Sequence, residues 1–154
     1  MKKLSKLSQE CIKNKGLCCE KRTPHFLFPE ETALFLKKGY PKNKLSQTGS
    51  CNMVKGLCHF FNRPLCSIYQ NRPVDCRTYP VSIDIKNGKI VYVIDRKCPA
   101  VQKEIVTKSF INSAIRLWQK SSPSLEWIKN YQRDDSPQTY DWMPVETYVE
   151  NLKK

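Results

Sequence analysis

The chain has 154 residues, of which 40% are hydrophobic and 27% charged, and these values are typical of one globular domain rather than of a disordered chain. Residues 1–119 carry 22 Lys and Arg against 8 Asp and Glu, whereas residues 120–154 carry 5 against 6, so the formal charge of +13 comes from the first part. No apolar run approaches the ~20 residues that cross a bilayer, and the N-terminus lacks the apolar core of a secretory signal, so we expect a soluble cytoplasmic protein without a membrane partner.

The basic excess has two interpretations. A positively charged surface of this size can attract nucleic acid or another polyanion. The simpler interpretation is a solvated, lysine-rich surface. Because the first interpretation stays open, we keep RNA or another protein as a possible type of partner for the basic surface.

Eight cysteines are unusual for a chain of this length: Cys11, Cys18, Cys19, Cys51, Cys58, Cys66, Cys76 and Cys98. Disulfides belong mainly to oxidising compartments, and the sequence shows no export signal. The adjacent pair and the clustering between residues 51 and 76 also suit metal ligation better. We predict that the cysteines bind metal, with disulfides as the alternative.

Residues 1–23 form a basic arm that contains cysteines. The stretch FPEETALFLKKGYP that follows predicts a short helix, because it has an early proline, two glutamates at its positive end, two lysines at its negative end and Gly39 to stop it. Residues 41–50 have the composition of a loop. The cysteine-dense segment 51–80 has little periodicity and predicts turns and short helical pieces.

The stretch VSIDIKNGKIVYVID predicts a β-hairpin, because Asn87-Gly88 is a strong two-residue turn signal. Pairing Lys86 with Lys89 puts the six large apolar residues of the two strands on one face, as a half-buried hairpin requires. The same register brings the chain before the first strand beside the chain after the second. Cys76 and Cys98 are therefore expected to approach each other at the open end of the hairpin.

The rest of the chain is predicted to be helical. Residues 100–120 have an inward stripe at helical spacing, formed by Val106, Phe110, Ala114, Leu117 and Trp118. A second helix is expected to start with Ser122 as its cap and Pro123 at its first position, and residues 143–154 predict a short final helix.

These elements predict an α+β protein, a small irregular domain stabilised by metal, with one β-hairpin and several short helices. We expect a single domain over residues 1–154. Within it, residues 11–98 form a cysteine-cluster metal-binding module and residues 99–154 a helical C-terminal extension.

Two local patterns favour metal ligation. The sequence Lys-Gly-Leu-Cys occurs at residues 15–18 and again at 55–58, and glycine before a ligand permits a tight turn whose N–H groups can point at sulfur. The segment 62–80 contains Asn-Arg-Pro twice, and its prolines stiffen a loop that has little core of its own. The arginines of this segment, beside the thiolates, can lower their pKa and donate hydrogen bonds to sulfur; they are Arg63, Arg72 and Arg77.

The spacing of the cysteines excludes several known kinds of site. No C-x2-C pair occurs, so zinc ribbons, ferredoxins and thioredoxin-like redox motifs are not indicated. Thiolate-rich ligation selects zinc or iron–sulfur, and the spacing leaves both open. His59, beside Cys58, is more simply interpreted as a surface or core residue than as a ligand, and His25 carries a weaker signal. No catalytic triad or phosphate-binding glycine loop is visible.

Four stretches together resemble the YkgJ-type cysteine-cluster proteins, which are zinc- or iron-chelating domains also found within flagellin lysine-N-methylases. They are GLCC at 16–19, the PEE helix start, the C-x6-C at 51–58 and CSIYQNRPVDCRTYP at 66–80. The resemblance covers roughly residues 11–98. It implies that six cysteines are ligands, namely Cys18, Cys19, Cys58, Cys66, Cys76 and Cys98, and it favours an iron–sulfur cluster, because the methylase relatives are thought to hold one.

The chain departs from that family at its start, where Lys15 stands at the position of a cysteine and Cys11 lies one position earlier than expected. The resemblance does not imply methylase activity, because the chain has no room for a methyl-donor domain. We therefore predict a metal-binding protein with a [4Fe–4S] cluster, or alternatively zinc, that acts as an accessory, maturation or electron-transfer factor. The alternatives are a zinc-stabilised module that binds RNA and an enzyme or enzyme subunit with an open coordination position on the cluster.

Overall fold

A computed structural model of the chain describes residues 5–16, 19, 25–133 and 140–152. The helices in these ranges are α1 Lys6–Lys13, α2 Pro29–Lys37, α3 Val74–Thr78, α4 Pro99–Gln102, α5 Lys108–Ser121, α6 Leu125–Arg133 and α7 Val145–Asn151. The strands are β1 His25–Leu27, β2 Leu45–Thr48, β3 Cys51–Val54, β4 Phe61–Asn62, β5 Leu65–Cys66, β6 Val81–Lys86, β7 Lys89–Asp95 and β8 Trp142–Pro144. The predicted α+β class is confirmed.

The predicted hairpin is confirmed in its register. Strands β6 and β7 pair antiparallel with Lys86 opposite Lys89 and Val81 opposite Ile94. The base of the hairpin is buried, whereas Ile90 near its tip is 42% exposed. Strand β8 adds to the outer edge of β7 and was not predicted, because three residues that end in Pro144 carry no strand pattern of their own.

A second sheet has the order β1-β3-β2, and it corrects the prediction of a loop over residues 41–50. Residues Leu45–Thr48 form a strand because Cys51–Val54 folds back on them and pairs with β1 on its other edge. Gly49 makes the turn between them at φ +56°, and a Cβ there would collide with the side chain of Asn130. The sheet therefore depends on partners distant in sequence, which a local composition does not reveal.

Helix α2 forms as predicted. Its N-terminus is capped by Glu31, whose carboxylate accepts a hydrogen bond of 2.8 Å from the backbone N–H of Phe28. Gly39 follows the helix at φ +84°, a conformation that glycine adopts without steric cost. The helix is short, and its buried contact is Phe35.

The C-terminal helices begin at positions other than those predicted. The expected run over 100–120 is divided into α4 and α5, with Glu104 at φ +54° between them and Thr107 as the cap of α5. Ser122 ends α5 instead of starting the next helix, and Ser124 caps α6 by accepting the Trp127 N–H at 3.0 Å. The final helix, α7, forms as expected.

Aromatic packing joins the segment around β1 to helices α5 and α6. Phe28 stacks on Trp127 with 4.6 Å between ring centroids, and Phe26 meets Tyr131 edge to face at 4.6 Å. Trp118 is fully buried beside them. Because burial of one large apolar side chain contributes about 1.5–3 kcal/mol, this cluster fixes β1 against α5 and α6. No helix in the described ranges combines the length and the apolar character needed to cross a membrane.

Candidate metal centre

A cavity of about 390 Å³ lies where α1, β1, the β4–β5 hairpin and α3 meet. Five cysteines of the described chain line it: Cys11, Cys19, Cys58, Cys66 and Cys76. Most of the other lining side chains are apolar, among them Ile12, Phe35, Phe61, Leu65 and Ile68. Folding thus brings cysteines from distant segments of the sequence to one cavity, which is the arrangement expected of a thiolate-bound metal centre.

Helix α1 holds Cys11 at the exposed rim of the cavity. Ser5 caps the helix, accepting the Ser8 N–H at 3.1 Å. On its other side, the carboxylate of Glu10 accepts hydrogen bonds from Lys103, the residue after α4, and from Asn14. These two donors, Lys103 foremost, lower the pKa of Glu10. The ion pair fixes α1, and with it Cys11, against the C-terminal part of the chain.

The β4–β5 hairpin places Cys58 and Cys66 near each other. Phe61 pairs with Cys66, and its N–H donates a 3.0 Å hydrogen bond to the carbonyl of Cys58. Burial raises the pKa of both thiols, and the charge of Cys66 raises the pKa of Cys58 further. Both thiols are therefore protonated at neutral pH without metal, and metal binding must release their protons.

Tyr40 lies against Cys58, a contact that sequence reasoning missed. Burial raises the pKa of Tyr40 to about 12, so its hydroxyl stays protonated and can donate a hydrogen bond to the sulfur of Cys58. Such a bond to the thiolate lowers the pKa of Cys58, opposing the effect of burial. Hydrogen bonds from outside the ligand set commonly orient and tune metal ligands.

Two carboxylates, one half-buried and one fully buried, hold helix α3, which carries Cys76. Glu31 accepts the Val74 N–H at the start of α3 at 2.7 Å, while its other oxygen caps α2. Asp75, which is 1% exposed, accepts the N–H of Phe26 at 3.1 Å and the hydroxyl of Tyr131 at 3.0 Å. The acidic residues of the PEE and RPVDC motifs thus join the segments that those motifs mark.

The arginines predicted to support the centre lie in different environments. Arg72 lines the cavity, lowers the pKa of Cys66 by its charge, and lies 3.8 Å from the ring centroid of Tyr69. Its guanidinium also donates to the carbonyl of Tyr69 at 3.1 Å. Arg63 and Arg77 are exposed and lie outside the cavity lining. The geometry therefore gives Arg72 the most direct route to an effect on bound thiolates.

Cys51 and Cys98 are buried in the hydrophobic core, outside the cavity lining. The Cys51 thiol donates to the carbonyl of Trp127 at 3.1 Å. Cys98 packs with the core residues of α4 and α7, and Tyr79 contacts that cluster while also lining the cavity. Cys18 lies outside the described residues. Ligation by these three cysteines, and the approach of Cys98 to Cys76, stay predictions.

The two histidines differ in a way that the sequence did not indicate. His59 is exposed and packs edge to face on Tyr40 and Phe60. His25, which had the weaker signal, is 4% exposed and lines the cavity with the cysteines. The sequence did not indicate this position of His25, because it depends on the pairing of β1 with β3, a contact between segments distant in sequence.

The chemistry of the donor side chains in the cavity fits a thiophilic metal, although these side chains are too far apart to bind one metal ion together. No three Cys, His, Asp or Glu side chains in the described ranges are close enough together to hold one metal ion. The cavity lining nevertheless supplies several sulfur atoms, an imidazole and one permanent positive charge. Zinc and iron–sulfur centres prefer such donors, and metal binding commonly completes the folding of its own site.

Gly16 closes the turn after α1, and its N–H donates to the carbonyl of Cys11 at 3.0 Å. Its φ is +67°, and a Cβ would lie 2.5 Å from the Phe61 ring that lines the cavity. Gly56, the equivalent residue of the second Lys-Gly-Leu-Cys, has φ +61° and nothing within 4 Å of a Cβ. The two glycines therefore share a backbone conformation but differ in their surroundings.

We expect Gly16→Ala to lower the melting temperature more than Gly56→Ala. Both substitutions pay a backbone cost of about 1 kcal/mol at positive φ, but only the first displaces the Phe61 ring. Thermal unfolding of the two variants and a metal titration check this. Equal losses in both variants would contradict the assigned role of Gly16 in the cavity wall.

Comparison with known proteins gives two matches and one negative result. Residues 10–104, which include all eight cysteines, match the CxxCxxCC family, described as "Putative zinc- or iron-chelating domain". The chain is also 31% identical over 101 residues to the Uncharacterized protein MJ0661 of Methanocaldococcus jannaschii. That match covers 60% of this chain and 55% of the relative, so the chain spans about half the length of that protein. No solved structure matches the chain.

The family match covers more than half of the chain, and it includes every segment that contributes a cysteine to the cavity. It also agrees with the soft donor set of that cavity. The chain belongs to the CxxCxxCC family of cysteine-rich metal-chelating domains.

Proposed function

We propose that the protein binds an iron–sulfur cluster in this cavity through cysteine thiolates and acts as an accessory, maturation or electron-transfer factor. The observation that supports this proposal is the presence of five cysteines around one cavity of about 390 Å³. An iron–sulfur cluster would supply one-electron chemistry, and the protein would supply ligands, hydrogen bonds and protection from water.

The cavity is large enough to contain a polynuclear centre. Four thiolates around zinc lie about 2.3 Å from the metal and enclose almost no free volume. A volume of 390 Å³ lies instead in the range of about 300–1,000 Å³ that cofactors and small ligands occupy. The largely apolar lining also fits a cluster, because limiting the access of water is one of the means by which a protein tunes such a centre.

The position of the cavity supports a role in exchange with a partner. Leu65 and Tyr69 line it and are 53% and 42% exposed, and Cys11 is exposed at its rim. A centre bound here would therefore lie near the surface. Short distances to the surface are what transfer of electrons or of cluster components to another protein requires.

The test is elemental analysis and an absorption spectrum of protein that has been purified anaerobically. We expect iron and acid-labile sulfide, a brown colour and charge-transfer absorption that disappears on treatment with a strong iron chelator. A colourless protein that contains zinc would contradict the iron–sulfur proposal.

Zinc would favour the alternative of a zinc-stabilised module that binds RNA. The exposed lysines at the end of α2 and in the following loops support that alternative, because residues 32–74 contain no Asp or Glu. These lysines are Lys37, Lys38, Lys42, Lys44 and Lys55. RNA binding that weakens steeply with salt concentration would then be expected, and a lack of RNA binding at low salt would exclude this alternative.

A further inference from the structure

His25 is the buried nitrogen donor of the cavity. Its side chain is 4% exposed and lines the same cavity as the five cysteines. The described lining residues include no Asp or Glu, and their one permanently charged group is Arg72. The imidazole therefore shares the wall of one cavity with the cysteine side chains.

The backbone fixes His25 relative to a cysteine segment. His25 pairs with Val54 in the β1–β3 ladder. The next residue, Phe26, donates its N–H to Asp75 at 3.1 Å, and Asp75 precedes Cys76 in α3. His25 and Cys76 are thus carried by neighbouring elements that a hydrogen bond joins, and both side chains line the same cavity.

We propose that His25 is a nitrogen ligand of the metal centre, so that the centre has mixed cysteine and histidine ligation. The proposal rests on the proposed metal site but holds for either iron–sulfur or zinc, because imidazole binds both metals. A neutral imidazole in place of a thiolate removes one negative charge from a buried centre. It would therefore raise the reduction potential of a cluster above that of its all-cysteine counterpart.

The chain contains two histidines, which makes the experiment decisive. His59 is the matched control, because it is exposed and lies outside the cavity lining. The protein is prepared without a histidine tag as wild type, His25→Gln, His25→Cys and His59→Gln. Each is loaded either with iron and sulfide or with zinc, and metal content is measured first.

For the iron-loaded protein, pulsed EPR of the reduced centre is expected to show imidazole ¹⁴N coupling in wild type and His59→Gln but not in His25→Cys. For the zinc-loaded protein, X-ray absorption is expected to show a nitrogen at about 2.0–2.1 Å beside sulfur at about 2.3 Å. His25→Gln should bind metal at least about tenfold more weakly. His25→Cys should keep the metal with sulfur ligands alone and, for a cluster, a lower potential.

A sulfur-only shell in the loaded wild type, or nitrogen coupling that survives in His25→Cys, would overturn the proposal while leaving the metal site intact. If His25→Gln fails to fold, His25→Cys still separates the outcomes, because it retains a metal ligand. A wild-type protein that takes up neither iron and sulfide nor zinc would instead remove the proposed function, and the ligand assignment with it.

Discussion

Cys66→Ser is expected to remove most of the bound metal and to lower the melting temperature of the anaerobically purified protein by about 10 °C or more. Metal ligation contributes several kcal/mol to folding in small domains, and each 1 kcal/mol corresponds to about 2–4 °C for a chain of this size. Cys66 lines the cavity beside Cys58, so the substitution should remove one thiolate ligand and leave the metal with an incomplete set of ligands. Metal analysis and thermal unfolding measure the two effects.

Cys51→Ser is the matched control. Cys51 is fully buried outside the cavity lining, and its thiol donates to the carbonyl of Trp127, a hydrogen bond that serine can also make. Because Cys51 lies outside the cavity lining, we expect full metal content, which opposes the prediction from sequence that Cys51 is a ligand, and a loss of about 1–2 kcal/mol for the lost sulfur contacts. If Cys51→Ser lost as much metal as Cys66→Ser, Cys51 would have to be counted among the ligands of the metal centre. Chelation that leaves the wild-type melting temperature unchanged would exclude metal stabilisation altogether.

Glu31→Ala is expected to weaken metal binding although Glu31 lies outside the cavity lining. Its carboxylate accepts the N–H groups of Phe28 and Val74, and its removal leaves two donors without their acceptor. The expected loss of stability is about 2 kcal/mol or more, together with a lower affinity for metal because the start of α3 is released. Urea unfolding and a metal titration test this, with Glu30→Ala as the control, since Glu30 is the exposed neighbour in the same helical turn.

The effect of Glu31→Ala on the free energy of unfolding is expected to depend on pH. Burial raises the pKa of Glu31 above 4.5, and the charges of Asp75 and Glu30 raise it further. The native state therefore binds this proton more tightly than the unfolded state. The contribution of this proton on Glu31 to the free energy of unfolding is fully present below pH 4.5 and is lost as pH rises through the raised pKa. The difference in unfolding free energy between wild type and Glu31→Ala should shrink as pH rises from 4.5, and a difference that grows over this range would contradict the assignment.

The links to α3 also explain how the C-terminal part of the chain bears on the metal site. Tyr131 on α6 donates its hydroxyl to Asp75, and its ring packs on Phe26 and Trp127. A residue beyond the family match at 10–104 thus satisfies a buried carboxylate in the segment that carries Cys76. The last helices therefore act as structural support for the cavity, because a buried carboxylate that loses a hydrogen-bond donor is costly.

Local signals in the sequence determined the elements whose stabilising contacts are close along the chain. Asn87-Gly88 together with two alternating strands specified the register of the β6–β7 hairpin, since a one-residue slip would turn its apolar face outward. Helix α2 was specified by its proline start, its acidic first turn and Gly39. The cysteine content and the segment at 66–80 likewise indicated the family, which the match over residues 10–104 confirms.

The tertiary structure alone decided which side chains share the cavity. Strands β1 and β3 pair across more than twenty intervening residues, and that pairing fixes the backbone of buried His25, whereas His59 is exposed. The cysteines are divided in a similar way, because Cys66 of the β4–β5 hairpin lines the cavity while Cys51 of β3 is buried in the core. Spacing along a chain identifies residues that can bind metal, but the direction of each side chain depends on long-range pairing and packing, which local sequence does not encode.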